Sequence, residues 1–264
     1  MRVAEEWGMM QMNKKVFSFL IATLFLAGIS SSNAAEKRPV ENQSTSSAKA
    51  DDPAATRVIY GPNALPNRPK EVRLTVMDLG FWEVDYAPNE NISVGVQLIP
   101  PFGVFGGGPV LRAVTPIADK LHAGVTAQLG GFSVIASNND HSLLYYGGGP
   151  IITYGDARYS LNVSVLTYGA QFNNKSHVGL FPTLGASAQI SEHAKFNLEA
   201  ISMNKLHGES SFGKVWAILY SLRFFSDGGW FGEVGFIAPI FPGAGDFYSV
   251  APLGIPLLSF GKAF

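Results

Sequence analysis

Ile92-Ser93-Val94-Gly95-Val96-Gln97-Leu98 sets an apolar side chain at every even position and Ser, Gly or Gln at every odd one. Successive side chains of an extended chain point to opposite faces, so a period of two marks a strand with one apolar and one polar face. The pattern recurs downstream. Leu121, Ala123, Val125, Ala127 and Leu129 oppose His122, Gly124, Thr126 and Gln128. Tyr159, Leu161, Val163 and Val165 oppose Ser160, Asn162 and Ser164, and Leu184, Ala186, Ala188 and Ile190 oppose Gly185, Ser187 and Gln189. Phe196 and Leu198 alternate with Lys195, Asn197 and Glu199.

Alternation alone also suits a soluble sheet with one wet face, so the connections decide. Short turns are expected at Ala87-Pro88-Asn89-Glu90, Pro116 to Lys120, Gly155-Asp156-Ala157, Ser191-Glu192-His193 and Ser226-Asp227-Gly228-Gly229. Longer links fall near 101–108, 132–142, 170–178, 204–213 and 242–248. Short turns on one side and longer loops on the other are the asymmetry of a transmembrane barrel, and the intervening stretches approach the ~9–11 residues a tilted membrane strand needs. Aromatics fall into two groups near opposite strand ends: Trp82, Tyr86, Tyr154, Tyr159, Phe224, Phe225, Trp230 and Phe231, then Tyr145, Tyr146, Tyr168, Phe181, Trp216 and Phe241. Such pairs of girdles are expected at the two membrane interfaces. Ten strands run from about 72 to 241, with one spanning 72–86, a last one lies near 249–262, and a weak first one covers Arg57-Val58-Ile59-Tyr60. The expected fold is all-β, a closed antiparallel transmembrane β-barrel of about twelve strands, with ten as the alternative.

Composition points the same way. Charged residues are 15% of the chain against roughly 25% in soluble domains, and 29 of 264 residues are Gly, above the usual ~7%. With a net charge of −1 and no basic cluster, nucleic acid is not an expected partner. The absence of Cys removes a lipidated N-terminal Cys, thiolate metal sites and Cys nucleophiles. Lys14 and Lys15, the uncharged run Val16 to Ile29 and Ser30-Ser31-Ser32-Asn33-Ala34-Ala35 form the three parts of an export signal, cleaved after Ala34. Glu5 and Glu6 sit oddly ahead of it, which makes Met12 an alternative start. The expected organisation is a signal peptide at 1–34, a disordered periplasmic lead at 35–56 and the barrel at 57–264.

The signal, the hairpin into Asn91-Ile92-Ser93-Val94-Gly95, and Leu253-Gly254-Ile255 leading to the terminal Phe264 together resemble uncharacterised bacterial outer-membrane β-barrels. The resemblance covers roughly 57–264 and implies the fold, an outer-membrane location, membrane lipids as surroundings and the barrel assembly machinery as a partner in biogenesis. It implies no activity. Lys262 departs from the usual terminal pattern, which has an apolar or aromatic residue there.

Glu83, Asp85, Arg112, Lys195, Glu199, Arg223 and Glu233 fall on predicted strands, most of them on the polar face; Arg112 shares its parity with Val110 and Val114. A charge facing hydrocarbon costs up to a few kcal/mol at mid-depth, so these side chains are expected to face the lumen. There they either line a narrow pore for small solutes or form an ionic network filling a closed interior. A lipid hydrolase would need a His with a Ser and an acid. His122, sharing a face with Thr126, and His141, between Asp140 and Ser142, are the weak candidates. Gly106-Gly107-Gly108 and Gly147-Gly148-Gly149-Pro150 precede no helix and are not phosphate loops, and His177, His193 and His207 lack metal-ligand spacing. No catalytic residue, metal or cofactor is expected. The leading function is a non-enzymatic outer-membrane barrel, either a narrow channel or a structural component. The alternatives are an outer-membrane lipid hydrolase or acyltransferase and a secreted soluble barrel that binds an apolar ligand.

Overall fold

A computed structural model of the chain describes residues 52–78, 80–99, 104–134, 141–172, 175–207, 215–240, 248 and 251–264. The expected signal at 1–34 and most of the polar lead lie outside these residues. Twelve strands form a single closed antiparallel sheet in which each pairs with its sequence neighbours and the last returns to the first. They are β1 Val72–Met77, β2 Phe81–Asn89, β3 Ile92–Ile99, β4 Val104–Ala118, β5 Leu121–Val134, β6 His141–Gly155, β7 Tyr159–Phe172, β8 Lys175–Ser191, β9 Ala194–His207, β10 Val215–Phe225, β11 Trp230–Ile240 and β12 Ile255–Ala263.

Alternation is what aims each strand. In β3 the even positions Val94, Val96 and Leu98 are exposed while Ser93 is buried. In β7 Tyr159, Leu161 and Val163 are exposed, and Ser160, Asn162 and Ser164 are buried. The outer wall is therefore apolar and the inner wall polar, the inverse of a soluble protein. At the rim Lys262 breaks the apolar series on β12, yet its ammonium lies 4.9 Å from the centroid of the Trp230 ring and 4.5 Å from that of Phe264. Both are cation–π contacts that suit a long side chain at a boundary.

The count of twelve holds, but its first members differ from the expectation. The stretch 72–86 is two strands joined by a tight turn at 78–80, where Asp78 has φ 51° and Gly80 N–H donates to Met77 O at 3.1 Å. Register pairs Val76 with Trp82 and Thr75 with Glu83, so even residues face outward on both sides of the turn and the alternation passes through it unbroken. Trp82 accordingly sits near the turn end of β2, away from Tyr86. The segment Arg57-Val58-Ile59-Tyr60 is not a wall strand; it carries one bridge, Arg57 to Pro62, and lies inside the barrel. Tyr168 and Phe181 are not girdle residues either. They meet edge to face, with centroids 4.9 Å apart, and Tyr168 lines the lumen.

The two ends of the barrel differ as expected, with a change of detail. Short turns close β2–β3, β4–β5, β6–β7, β8–β9 and β10–β11 at one end, where Phe264 also pairs with Val72. At the other end asymmetry comes partly from strand length. β4 to β9 run 14–17 residues, beyond the ~9–11 of a bare span, and only 173–174 separate β7 from β8.

Candidate functional site

Residues 52–67 enter at the short-turn end and occupy the lumen. Asp52, Ala54, Val58, Ile59, Asn63, Ala64 and Leu65 are all buried, whereas 52–56 were expected to belong to the polar lead. A lumen of eight strands is filled by side chains alone, and twelve leave room for more. The segment carries Pro53, Pro62 and Pro66, which favour neither helix nor ladder. A buried irregular backbone must have its N–H and C=O groups satisfied from outside itself. The charged residues of the wall meet that requirement.

Arg223 of β10 is fully buried and is the main clamp. It donates to the carbonyls of Ala54 at 2.8 Å, Arg57 at 3.4 Å and Val58, and pairs with Asp52 at 3.0 Å and Glu233 at 3.2 Å. Lys195 of β9 reaches the same Asp52 at 2.5 Å, and Arg57 of the segment pairs with Glu233 at 3.1 Å and donates to Ser259 at 2.7 Å. Glu199 acts in the opposite sense: its carboxylate accepts the N–H groups of Ile59, Tyr60 and Gly61 at 3.0, 3.0 and 2.8 Å. An added Cβ at Gly61 would strike the Glu199 carboxylate, so any larger residue there must displace it.

Arg112 of β4, the candidate with the weakest sequence pattern, is buried and donates to Asn63 O at 2.7 Å, Leu65 O at 3.0 Å and the Asn67 side chain. Arg73 pairs with Asp85 at 2.9 Å and also donates to Thr56 and Pro53 O. Neutral wall residues complete the grip: Thr153 accepts from Ala64 N–H at 2.8 Å, and Asn162 donates to Pro62 O at 3.0 Å. The structure thus gathers six of the seven sequence candidates, Asp85, Arg112, Lys195, Glu199, Arg223 and Glu233, around one segment. Glu83 stands apart, accepting a hydrogen bond from Gln97 at 2.7 Å.

The apolar pair Val58 and Ile59 leans on Leu219 and Leu257, with Ile201, Ala217 and Ile237 behind them. This draws the segment toward β9–β12 and leaves a polar crevice of about 120 Å³ along β1–β5, lined among others by Glu83, Gln97, Thr126, Gln128 and Tyr168. Sequence reasoning missed the segment because sixteen residues broken by prolines show no period. The signal was indirect: more inward charges than a side-chain-filled barrel needs, and an apolar Val58-Ile59 pair beside a polar run.

His122 brings no triad together: its Nδ1 has no hydrogen-bond partner among the described residues. His141 opens β6, and Asp140 lies outside the described residues. Among the described residues no group of acidic and His side chains could hold a metal ion.

Asp52 gives this anchor a pH dependence. Burial alone would raise its carboxyl, but the Arg223 and Lys195 cations and the Ala54 N–H outweigh that and lower it from 3.8 to about 2. A depressed carboxylate contributes stability that is full above its unfolded value and is lost as pH falls through the folded one. Hydrogen-exchange protection of Ala54 N–H, which donates to Asp52 Oδ1 at 2.9 Å, should therefore persist at about pH 4 and collapse only below about pH 3. Collapse already near pH 5 would contradict this account of the anchor.

The fold and site together define a closed twelve-stranded antiparallel barrel with an apolar exterior and a lumen occupied by its own chain. No family model, curated protein or solved structure matches the chain.

Proposed function

We propose that this chain is a non-enzymatic outer-membrane barrel whose lumen is held shut by residues 52–67, a structural component at rest and a narrow channel for small solutes only when that segment withdraws. One observation carries the membrane reading: the outward residues of the strands are large and apolar, with Leu184, Tyr159 and Leu258 each more than half exposed. Soluble monomers rarely expose apolar patches beyond a few hundred Å², and a closed barrel is one of the two backbone arrangements that satisfy every hydrogen bond in hydrocarbon. Tyr154, Tyr159 and Trp230 near the short turns and Trp82 and Trp216 toward the other end suit the two interfaces of a bilayer. In this reading the short turns face the periplasm, membrane lipids surround the wall, and the assembly machinery inserts it. The shut lumen is supported by the clamp of Arg223, Glu199 and Arg112 on the segment's backbone.

The test is purification followed by planar-bilayer recording. The full chain should require detergent for recovery and give a flat trace, and a variant lacking 52–67 should give discrete conductance steps. Recovery from a soluble fraction without detergent overturns the membrane reading, and steady conductance of the intact chain overturns the shut lumen. Should the deletion fail to fold, Arg112→Met, which removes the hydrogen bonds to Asn63 O, Leu65 O and the Asn67 side chain, should give brief openings.

A further inference from the structure

The outer wall is not uniformly convex. Near the short turns a groove of about 470 Å³ crosses from Lys120 and the 155–156 turn to Phe196 and Leu198 on β9. Its floor is Ala186 and Ala188 of β8. Register sets Leu161 and Tyr159 beside them on β7 and Leu198 and Phe196 on β9, so two methyl groups lie between two rows of large side chains. Strands are ~4.8 Å apart, which puts roughly 10 Å between those rows. Along β8 the recess ends at Leu184 and Ile190, both strongly exposed.

We propose that this groove holds one glycerophospholipid, with an acyl chain over Ala186 and Ala188 and the phosphate on Lys120. The proposal rests on the membrane reading above. Charge and chemistry change along the groove in the order a phospholipid requires. The Ala186–Ala188 end is hydrocarbon. Tyr154 and Tyr159, exposed by 56% and 60%, come next, where amphipathic rings sit at headgroup level. Lys120 lies at the turn end, with exposed Arg158 close by in the β6–β7 turn. The one carboxylate in the lining, Asp156, accepts the N–H groups of Arg158 at 2.8 Å and Tyr159 at 3.1 Å through Oδ1, and it also lies within the charge field of Lys120 and Arg158. An anionic headgroup would thus meet two cations that share one carboxylate, at the level where the short turns would reach the membrane surface.

The experiment is native mass spectrometry of the full chain released from micelles doped with phosphatidylglycerol and phosphatidylethanolamine. The wild-type protein should keep one phospholipid under activation that strips the others. Filling the floor with Ala186→Leu and Ala188→Leu should lower the retained fraction roughly tenfold, because the methylenes lose their recess. Lys120→Glu should lower retention of phosphatidylglycerol more than that of phosphatidylethanolamine. Val234→Leu, outward on β11 away from the groove, should change nothing, and circular dichroism checks that each variant keeps its sheet. Equal retention by the filled variant overturns the proposal, as does a protein dimer that disappears on filling, which would assign the groove to a second copy. Soluble recovery without detergent would instead sink the membrane reading. A chain that needs detergent but keeps no phospholipid sinks this proposal alone.

Discussion

Arg223→Met should lower the unfolding free energy of the full chain in detergent by about 3 kcal/mol, the lower part of the range for breaking a buried ion pair. Methionine preserves much of the volume and removes the fork. Asp52 would keep Lys195 and Glu233 would keep Arg57, which is why the loss stays toward the low end. The Ala54 carbonyl would keep only the Arg57 N–H of its own turn, at 3.2 Å, and the Val58 carbonyl would lose its hydrogen bond from the wall. Urea titration of the refolded protein would read the loss, and amide exchange would place it, with protection falling first in 53–58. Adding Glu233→Leu should cost less than the sum of the two single changes, because the two side chains bond each other and that bond is lost in both. Full wild-type stability with unchanged protection of 53–58 would show that Arg223 does not hold the segment.

Glu199→Gln should produce the largest local effect. Hydrogen bonds to a charged acceptor contribute about 1.5–3 kcal/mol each, and Glu199 accepts three from consecutive backbone N–H groups. An amide keeps one acceptor oxygen and turns an NH₂ group toward the remaining donors. Opening of the 59–61 turn should become easier by about 3 kcal/mol, which is roughly a hundredfold faster exchange at those three amides. The barrel wall should keep its protection, since Glu199 bonds the segment and not a neighbouring strand. Gly61→Ala should act in the same direction by displacing the carboxylate. Unchanged exchange at 59–61 in both variants would remove Glu199 from the account.

What was legible in the sequence was what repeats. The period of two, renewed from β3 to β12, carried the all-β barrel and the facing of Lys195, Glu199, Arg223 and Glu233, because a polar stripe is visible wherever several strands share it. Features that occur once were hidden. The β1–β2 turn left no trace because Val76 and Trp82 stand in register with even residues outward on both sides. Tyr168, between Thr167 and Gly169, and Phe181, between Leu180 and Pro182, looked like girdle residues because position along a strand does not say which face an aromatic occupies when its neighbours show no polar–apolar contrast. Arg112 sits on a face shared with Val110 and Val114, and its meaning depends on Asn63 and Leu65, far away in the chain. The lumen segment is the general case. Its structure is imposed by the wall, so its own residues carry no periodic signal.

The wall is sealed by its final residue: Phe264 N–H donates to Val72 O at 2.8 Å, and Val72 N–H donates to Phe264 O at 3.2 Å. Residues 52–67 come just before β1, and their anchors include β9, β10 and β11. Seating them in a finished cylinder means desolvating Arg223, Glu199 and Arg112 together inside a closed wall, whereas an open sheet can fold around them one contact at a time. The β1–β12 seam, joining the two ends of a long loop, is also the costliest contact to form early. The expected order of assembly has the later strands gather on residues 52–67 first and the cylinder close around them last.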